Sequence, residues 1–306
     1  MLMDVNHLAD RPGVLDIFVE IGARQTVTTG GYNTWRKPHG CQMVYIWGCG
    51  PGGNGGAGAS RAANANGGGG GGGGTPQIME VLVPAILLPD SLYTFVPAGG
   101  STTATQVRGF PPSAGATGLV DLSCNPGGSG GIGSGTAGGG GGSPAIITST
   151  ISGLATKGIL GTIGGGTTGA AGGFTANGNS LTVFQGTSNA GAVNMGGAGG
   201  AGVSNSDFIG GSVVSPDPLV FPTVLGGQNP GDRGLSGIPL FPGSSGSVPL
   251  LPFGTSGTGG ASNNNGVGGA GGNAYGVGCG GGGGGAGVTG GAGGRGGPGA
   301  ILIIAW

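Results

Sequence analysis

Few side chains in this chain could do chemistry. Its 306 residues hold two histidines, His7 and His39, four cysteines, and ten acids against nine bases. His39, Cys41 and Cys49 come nearest to a metal set, yet a zinc site needs a fourth ligand and recognisable spacing, and both are missing. Pro38-His39-Gly40 reads as a turn that exposes an idle imidazole rather than a general base. Asp207 and Asp217 are dispersed, not paired as glycoside hydrolysis requires. Phosphate cradles fare no better. With 87 glycines, three fixed glycine positions match by chance about 2% of the time, so GxGxxG strings carry no weight without a strand before and a helix after. The only lysines, Lys37 and Lys157, precede Pro38 and Gly158 rather than the Ser or Thr of a P-loop. No catalytic, cofactor-binding or metal-ligating residue is expected, no cofactor is implied, and the chain reads as a non-enzyme. The four cysteines (Cys41, Cys49, Cys124, Cys279) lack CxxC spacing and are expected as free, small, buried hydrophobes in a reducing compartment.

The elements that must carry any function are made of glycine. Through residues 286–298 the non-glycine positions fall at Ala286, Thr289, Ala292, Arg295 and Pro298, with one breach at Val288. The same beat passes through Pro51, Asn54 and Ala57, through Pro126, Ser129 and Ile132, through Met195, Ala198 and Ala201, and through Val267, Ala270 and Asn273. Three residues per turn is the period of the polyproline II helix, which has no internal hydrogen bonds. Neither the α-helical nor the strand period spaces side chains this way. Two bare faces let such a segment lie directly against others, where its N–H and C=O groups must find lateral partners.

Glycine and proline together make 107 of 306 residues (87 plus 20), a level that usually signals low complexity or disorder. Disorder normally accompanies high charge and low hydrophobicity. Here charged residues are 6%, hydrophobic residues 36% and the net charge -1, so an ordered body is expected. Collagen needs one long strict repeat over three chains, and these short, interrupted tracts point to a bundle within one chain. Weak charge and two lysines argue against nucleic acid as a partner. No stretch approaches the length of a membrane span, and residues 1–11 lack the apolar core of a signal peptide.

The predicted fold is mostly irregular and all-β: a bundle, or sandwich, of polyglycine II helices with short strands at its base and almost no α-helix. Residues 1–30 form an N-terminal attachment segment whose apolar run includes Leu15, Ile17, Phe18 and Val19. Residues 31–306 form the glycine-rich domain. Strands are expected at 42–47, in two runs within 78–96, at 181–184 and at 300–306, the last paired with the first. Residues 98–123 read as loop-rich, and the sequence Asn229-Pro230-Gly231-Asp232-Arg233 as an exposed turn. A Pro-rich insertion, 215–253, stands apart, and long loops of this type tend to be functional.

Trp35-Arg36-Lys37-Pro38-His39-Gly40, then residues 44–50, then GGAGGRGGPGAILIIAW at 290–306, in that order around the glycine tracts, resemble the glycine-rich domain of tailed-phage virion proteins. The better understood of these are the glycine-rich tail-fibre tip adhesins of T-even-like phages. The resemblance covers residues 25–306 and implies parallel and antiparallel polyglycine II helices whose connecting loops touch the host. The short N-terminal segment and the 215–253 insertion depart from that pattern. The expected role is therefore a structural virion protein on the particle surface, assembled in the host cytoplasm, as a spike or fibre-tip adhesin. A capsid decoration or cement protein, or another head or tail accessory protein, is the alternative. A cellular ice-binding or cell-wall protein would need a flat Thr or Ala face, which the insertion does not suit. Expected partners are fibre, tail or capsid proteins and a host glycan or outer-membrane protein. A homotrimer and a single copy capping a trimer both stay open. The candidate contact loops are 104–122, 174–190 and 215–253, with Phe110, Phe174, Phe221, Arg233, Phe241 and Phe253 as candidate contacts; for any single phenylalanine a plug over the bundle's end is the favoured reading, and for Arg233 a solvated or structural charge.

Overall fold

The structure is a computed structural model that describes residues 15–22, 31–109, 120–145, 160–164, 167–182, 196–214, 222–239 and 254–306. Thirteen strands occur in this part: β1 (Asp16–Ile21), β2 (Asn33–Arg36), β3 (Met43–Cys49), β4 (Ile78–Pro84), β5 (Ser91–Phe95), β6 (Thr105–Arg108), β7 (Asp121–Cys124), β8 (Leu160–Gly164), β9 (Leu181–Thr182), β10 (Val213–Val214), β11 (Asn263–Val267), β12 (Gly287–Thr289) and β13 (Ala300–Ala305). No α-helix is present among the described residues.

Alternating apolar residues build a two-sheet base. An antiparallel sheet of order β1-β13-β3-β4-β8 aligns Val19, Leu302, Trp47 and Glu80 across its strands. Every second residue (Val44 and Ile46, Met79 and Val81, Ile301 and Ile303) points into one core with Trp35, Leu92, Val107 and Leu122 of the second sheet, β2-β5-β6-β7. The expected pairing of the final apolar segment with the 42–47 strand is present as β13 against β3. The second sheet corrects the loop-rich reading of 98–123. β6 and β7 pair from Thr105↔Cys124 to Arg108↔Asp121, and four-residue strands with Thr, Gln and Ser at alternate places show too little hydrophobic alternation to register as strands.

From this base the chain runs outward along glycine segments and returns along the next. The N–H groups of Gly52, Gly55 and Gly58 donate to the carbonyls of Gly297, Gly294 and Gly291, each at 2.9 Å. One partner steps up by three as the other steps down, so these two segments run antiparallel with a three-residue period. By the same registers, segments 51–59, 126–134, 167–173, 196–203, 222–227, 254–263 and 280–287 run outward, and 67–74, 138–145, 176–182, 208–214, 232–238, 267–275 and 290–299 run back.

The longest pure-glycine runs lie in segments enclosed on every side. Along 67–74 every amide donates: Gly68 to Ser134, Gly69 to Gly173 and Gly70 to Gly284, with the set repeating three residues on at Gly71, Gly72 and Gly73. Its carbonyls accept from three further segments, through Gly56, Gly139 and Gly200 among others. Six segments therefore enclose it (51–59, 126–134, 138–145, 167–173, 196–203, 280–287), and no face is left for a side chain. The second-longest uninterrupted glycine run, 280–285, is likewise enclosed by six: 51–59, 67–74, 196–203, 254–263, 267–275 and 290–299. Segments 196–203 and 254–263 are enclosed as fully yet admit small buried side chains at Ala198, Ala201, Thr255 and Thr258. At the rim the beat opens one face to solvent. Ala292 and Arg295 are exposed while Gly291 and Gly294 are buried, and Ser129 and Ile132 project between Gly127 and Gly133. The breach at Val288 falls in the reversal between 280–287 and 290–299, where β12 lies.

Candidate recognition surface at the bundle tip

Seven reversals cap the end of the bundle away from the sheets: 60–66, 134–137, 174–175, 204–207, 228–231, 263–267 and 288–289. Ala59, Val203 and Ala286 close the apolar floor beneath them. What projects above is chiefly neutral and polar. Ser60, Asn64, Asn66, Thr136, Asn205, Ser206, Gln228, Asn229 and Asn265 are exposed, and two bases, Arg61 and Arg233, balance Asp207 and Asp232.

A buried amide ties three of these reversals together. Asn264 is 7% exposed, its backbone N–H donates to Asp207 Oδ1, and its Nδ2 donates to Asn64 Oδ1 at 2.9 Å. Its Oδ1 accepts from the Asn64 N–H and from Arg61 Nη2, both at 3.2 Å. Asn64 holds a left-handed backbone, φ 59, which asparagine tolerates better than most residues. Burial lowers the Arg61 guanidinium below its ordinary value, against the opposing pull of Asp207, and Arg61 Nε has no partner among the described residues.

The expected turn at 229–233 is present. Both the N–H and Nδ2 of Asn229 donate to Asp232 Oδ2 at 2.8 Å, the Asp232 N–H donates back to Asn229 O at 2.9 Å, and Gly231 takes φ 79. The Asn229 donors hold the Asp232 carboxyl below its ordinary value, backbone first and side chain second. Arg233 is exposed just beyond. Phe174 also lies at the tip, at the edge of exposure, its backbone bridged to Gly68. Phe110, Phe221, Phe241 and Phe253 lie outside the described residues, as does most of the 215–253 insertion.

At the opposite end, β1 is hydrogen-bonded along its length to β13, so this part of the 1–30 segment belongs to the base sheet. Phe18 packs on the inter-sheet core and Val19 on the cluster around Trp47 and Val277, Ile17 is exposed, and Leu15 is half-buried just before the strand. His39 is exposed in its turn and lines, with Cys41, Lys37 and Asp90, an open hollow of about 330 Å³. Lys37 is already engaged, donating to Leu88 O at 2.8 Å and pairing with Asp90 at 3.3 Å. Cys49 is not brought to that hollow. It is fully buried at the far end of β3, about 20 Å from the strand's start at the usual rise per residue. None of the four cysteines is in a disulfide; Cys49, Cys124 and Cys279 are buried and Cys41 is half-buried, and burial pushes the Cys124 thiol well above its ordinary pKa. Among the described residues no group of three or more His, Cys, Asp or Glu could hold a metal, and no helix there is long and apolar enough to cross a membrane.

Sequence reasoning missed Arg61, Asn64, Asp207 and Asn264 as a unit. The available signal was asparagine between glycine runs, at Asn64, Asn66 and 263–265, where a tight reversal suits a short amide side chain. The chain matches no protein-family model, and no curated protein is similar to it at a significant level.

Proposed function

We propose that this protein is a structural component of a tailed-phage virion, displayed on the particle surface as a spike or fibre-tip adhesin, with its glycine segments as polyglycine II helices. The observation that carries the reading is the chemical difference between the two ends of one laterally bonded body. The three-residue hydrogen-bond register across antiparallel segments matches the period of that helix. Nearly every interior amide has a backbone acceptor, so the tip reversals stand on a stiff support, a common arrangement for recognition loops. Under this reading the sheet end, with β1 and its exposed Ile17, faces the particle. The tip offers amides and hydroxyls to a host glycan or an outer-membrane protein loop.

Purified protein added before infection tests this. An adhesin binds susceptible cells and lowers phage adsorption. Binding to capsids with no effect on adsorption overturns the adhesin reading in favour of a decoration protein.

A further inference from the structure

Four asparagines in the chain precede glycine: Asn54, Asn66, Asn177 and Asn265. Such pairs undergo a reaction of their own. The glycine amide nitrogen attacks the asparagine Cγ, the side-chain nitrogen leaves as ammonia, and the resulting succinimide opens with water to aspartate or isoaspartate. The step needs an accessible side chain and a glycine N–H that is free to turn and lose its proton.

We propose that Asn265, at the bundle tip, is the site of spontaneous deamidation in the native protein, and that the other three pairs are protected by the fold. In each of those three, the glycine N–H is held. Gly55 donates to Gly294 O at 2.9 Å, Gly67 to Val203 O at 3.0 Å and Gly178 to Ile209 O at 2.9 Å. Two of the asparagine side chains are held as well: Asn54 Oδ1 accepts from the Gly296 N–H and Asn177 Oδ1 from the Ile209 N–H. Asn265 shares its exposure with Asn66 but differs from all three in the placing of the glycine that follows it. The pair lies in the irregularity of β11, between the register pairs Asn263↔Gly287 and Val267↔Thr289. The ladder closes on either side through Asn263, whose N–H donates to Ala286 O, and through Gly268, whose N–H donates to Thr289 O. Neither closure uses the Gly266 N–H.

The product alters the surface that the tip presents. A carboxylate at 265 adds negative charge next to Asn264, whose N–H is bonded to the Asp207 carboxylate. The isoaspartyl form also inserts a methylene into the backbone of the bulge that positions Asn264 for Arg61 and Asn64. The proposal does not depend on the virion reading, since it concerns only this chain's chemistry.

The test is incubation of the intact folded protein at mildly alkaline pH, followed by peptide mapping with fragment-ion assignment and by enzymatic methylation of isoaspartyl residues. Deamidation is expected at Asn265 at least about tenfold faster than at Asn54, Asn66 or Asn177, the factor that one decade of local-opening equilibrium imposes. In urea-unfolded protein the four rates should converge. Native rates at Asn265 no faster than at the other three overturn the proposal, as does a fourfold pattern unchanged by unfolding.

Discussion

Gly71 and Gly140 touch, yet the same substitution at each should have opposite effects. A Cβ built on Gly71 falls on the Gly140 carbonyl, 2.6 Å from its carbon and 2.9 Å from Gly139 O. These are backbone atoms in a segment that is itself bonded to two neighbours, since the Gly139 N–H donates to Gly69 O and Gly140 O accepts from Gly131. To bring the Gly140 carbonyl oxygen to ordinary contact distance the segments must part by more than an ångström. That movement strains the Gly71 bond to Gly131 O and the Gly56 bond to Gly71 O, both 2.7–2.9 Å. Two such bonds lost at about 1 kcal/mol each, with overpacking of about 1–3 kcal/mol, give a destabilisation of about 3–5 kcal/mol for Gly71→Ala. A Cβ on Gly140 meets nothing within 4 Å. Gly140→Ala should be neutral or stabilising by about 0.4–1 kcal/mol, because alanine restricts the unfolded chain. Denaturant or thermal unfolding of the two variants decides it. Equal losses, or a larger loss at Gly140, would refute the reasoning from enclosure.

Asn264→Ala should leave the Asn64 N–H without its acceptor and remove one of the acceptors of Arg61, which keeps the Ala62 and Asn264 backbone carbonyls, costing about 1–3 kcal/mol; faster exchange of the Asn64 amide with base-sheet amides unchanged is the expected signature, and unchanged exchange at Asn64 contradicts it. Glu20, half-buried between β1 and the second sheet, accepts from Thr94 Oγ1 and Asn33 Nδ2, and burial raises its carboxyl above the ordinary 4.5. A raised carboxyl pKa favours the folded state as protons are added, so its contribution grows as pH falls through the raised value and is lost as pH rises through it. Thermal melts of the native protein and Glu20→Gln from pH 7 to about 4.5 should therefore show the native protein gaining relative to the variant; a relative loss refutes the assignment. Under native conditions iodoacetamide should label Cys41 first, with Cys49, Cys124 and Cys279 reacting only after unfolding; rapid labelling of Cys49 would contradict its burial.

Much of the bundle could be read from the sequence because glycine here answers to geometry. At the rim a G-G-x beat marks a segment with one open face, as Ala292 and Arg295 are exposed, whereas in 196–203 the same beat places Ala198 and Ala201 inside the body. A run such as 67–74 marks a segment with none, although that inference requires knowing that six neighbours surround it. β3 and β13 were legible because their alternating apolar residues are strong and continuous. The sheet containing β6 and β7 was not, since Val107, Leu122 and Cys124, which join the core with Trp35 and Leu92, are separated by polar residues in strands only four residues long. The Arg61–Asn264 knot joins residues about 200 positions apart in sequence, and no local pattern reports such a pairing. Phe174 and Arg233 were picked out, and both lie at the tip. Asn64 and Asn264 at the same end were not.

Native-state hydrogen exchange of the glycine amides tests the central claim most directly. If lateral backbone bonding holds the body together, the amides of residues 68–74 and 281–285 should exchange among the slowest in the protein, opening only with global unfolding. Exchange of those glycines within seconds, at rates typical of an open chain, would contradict the account.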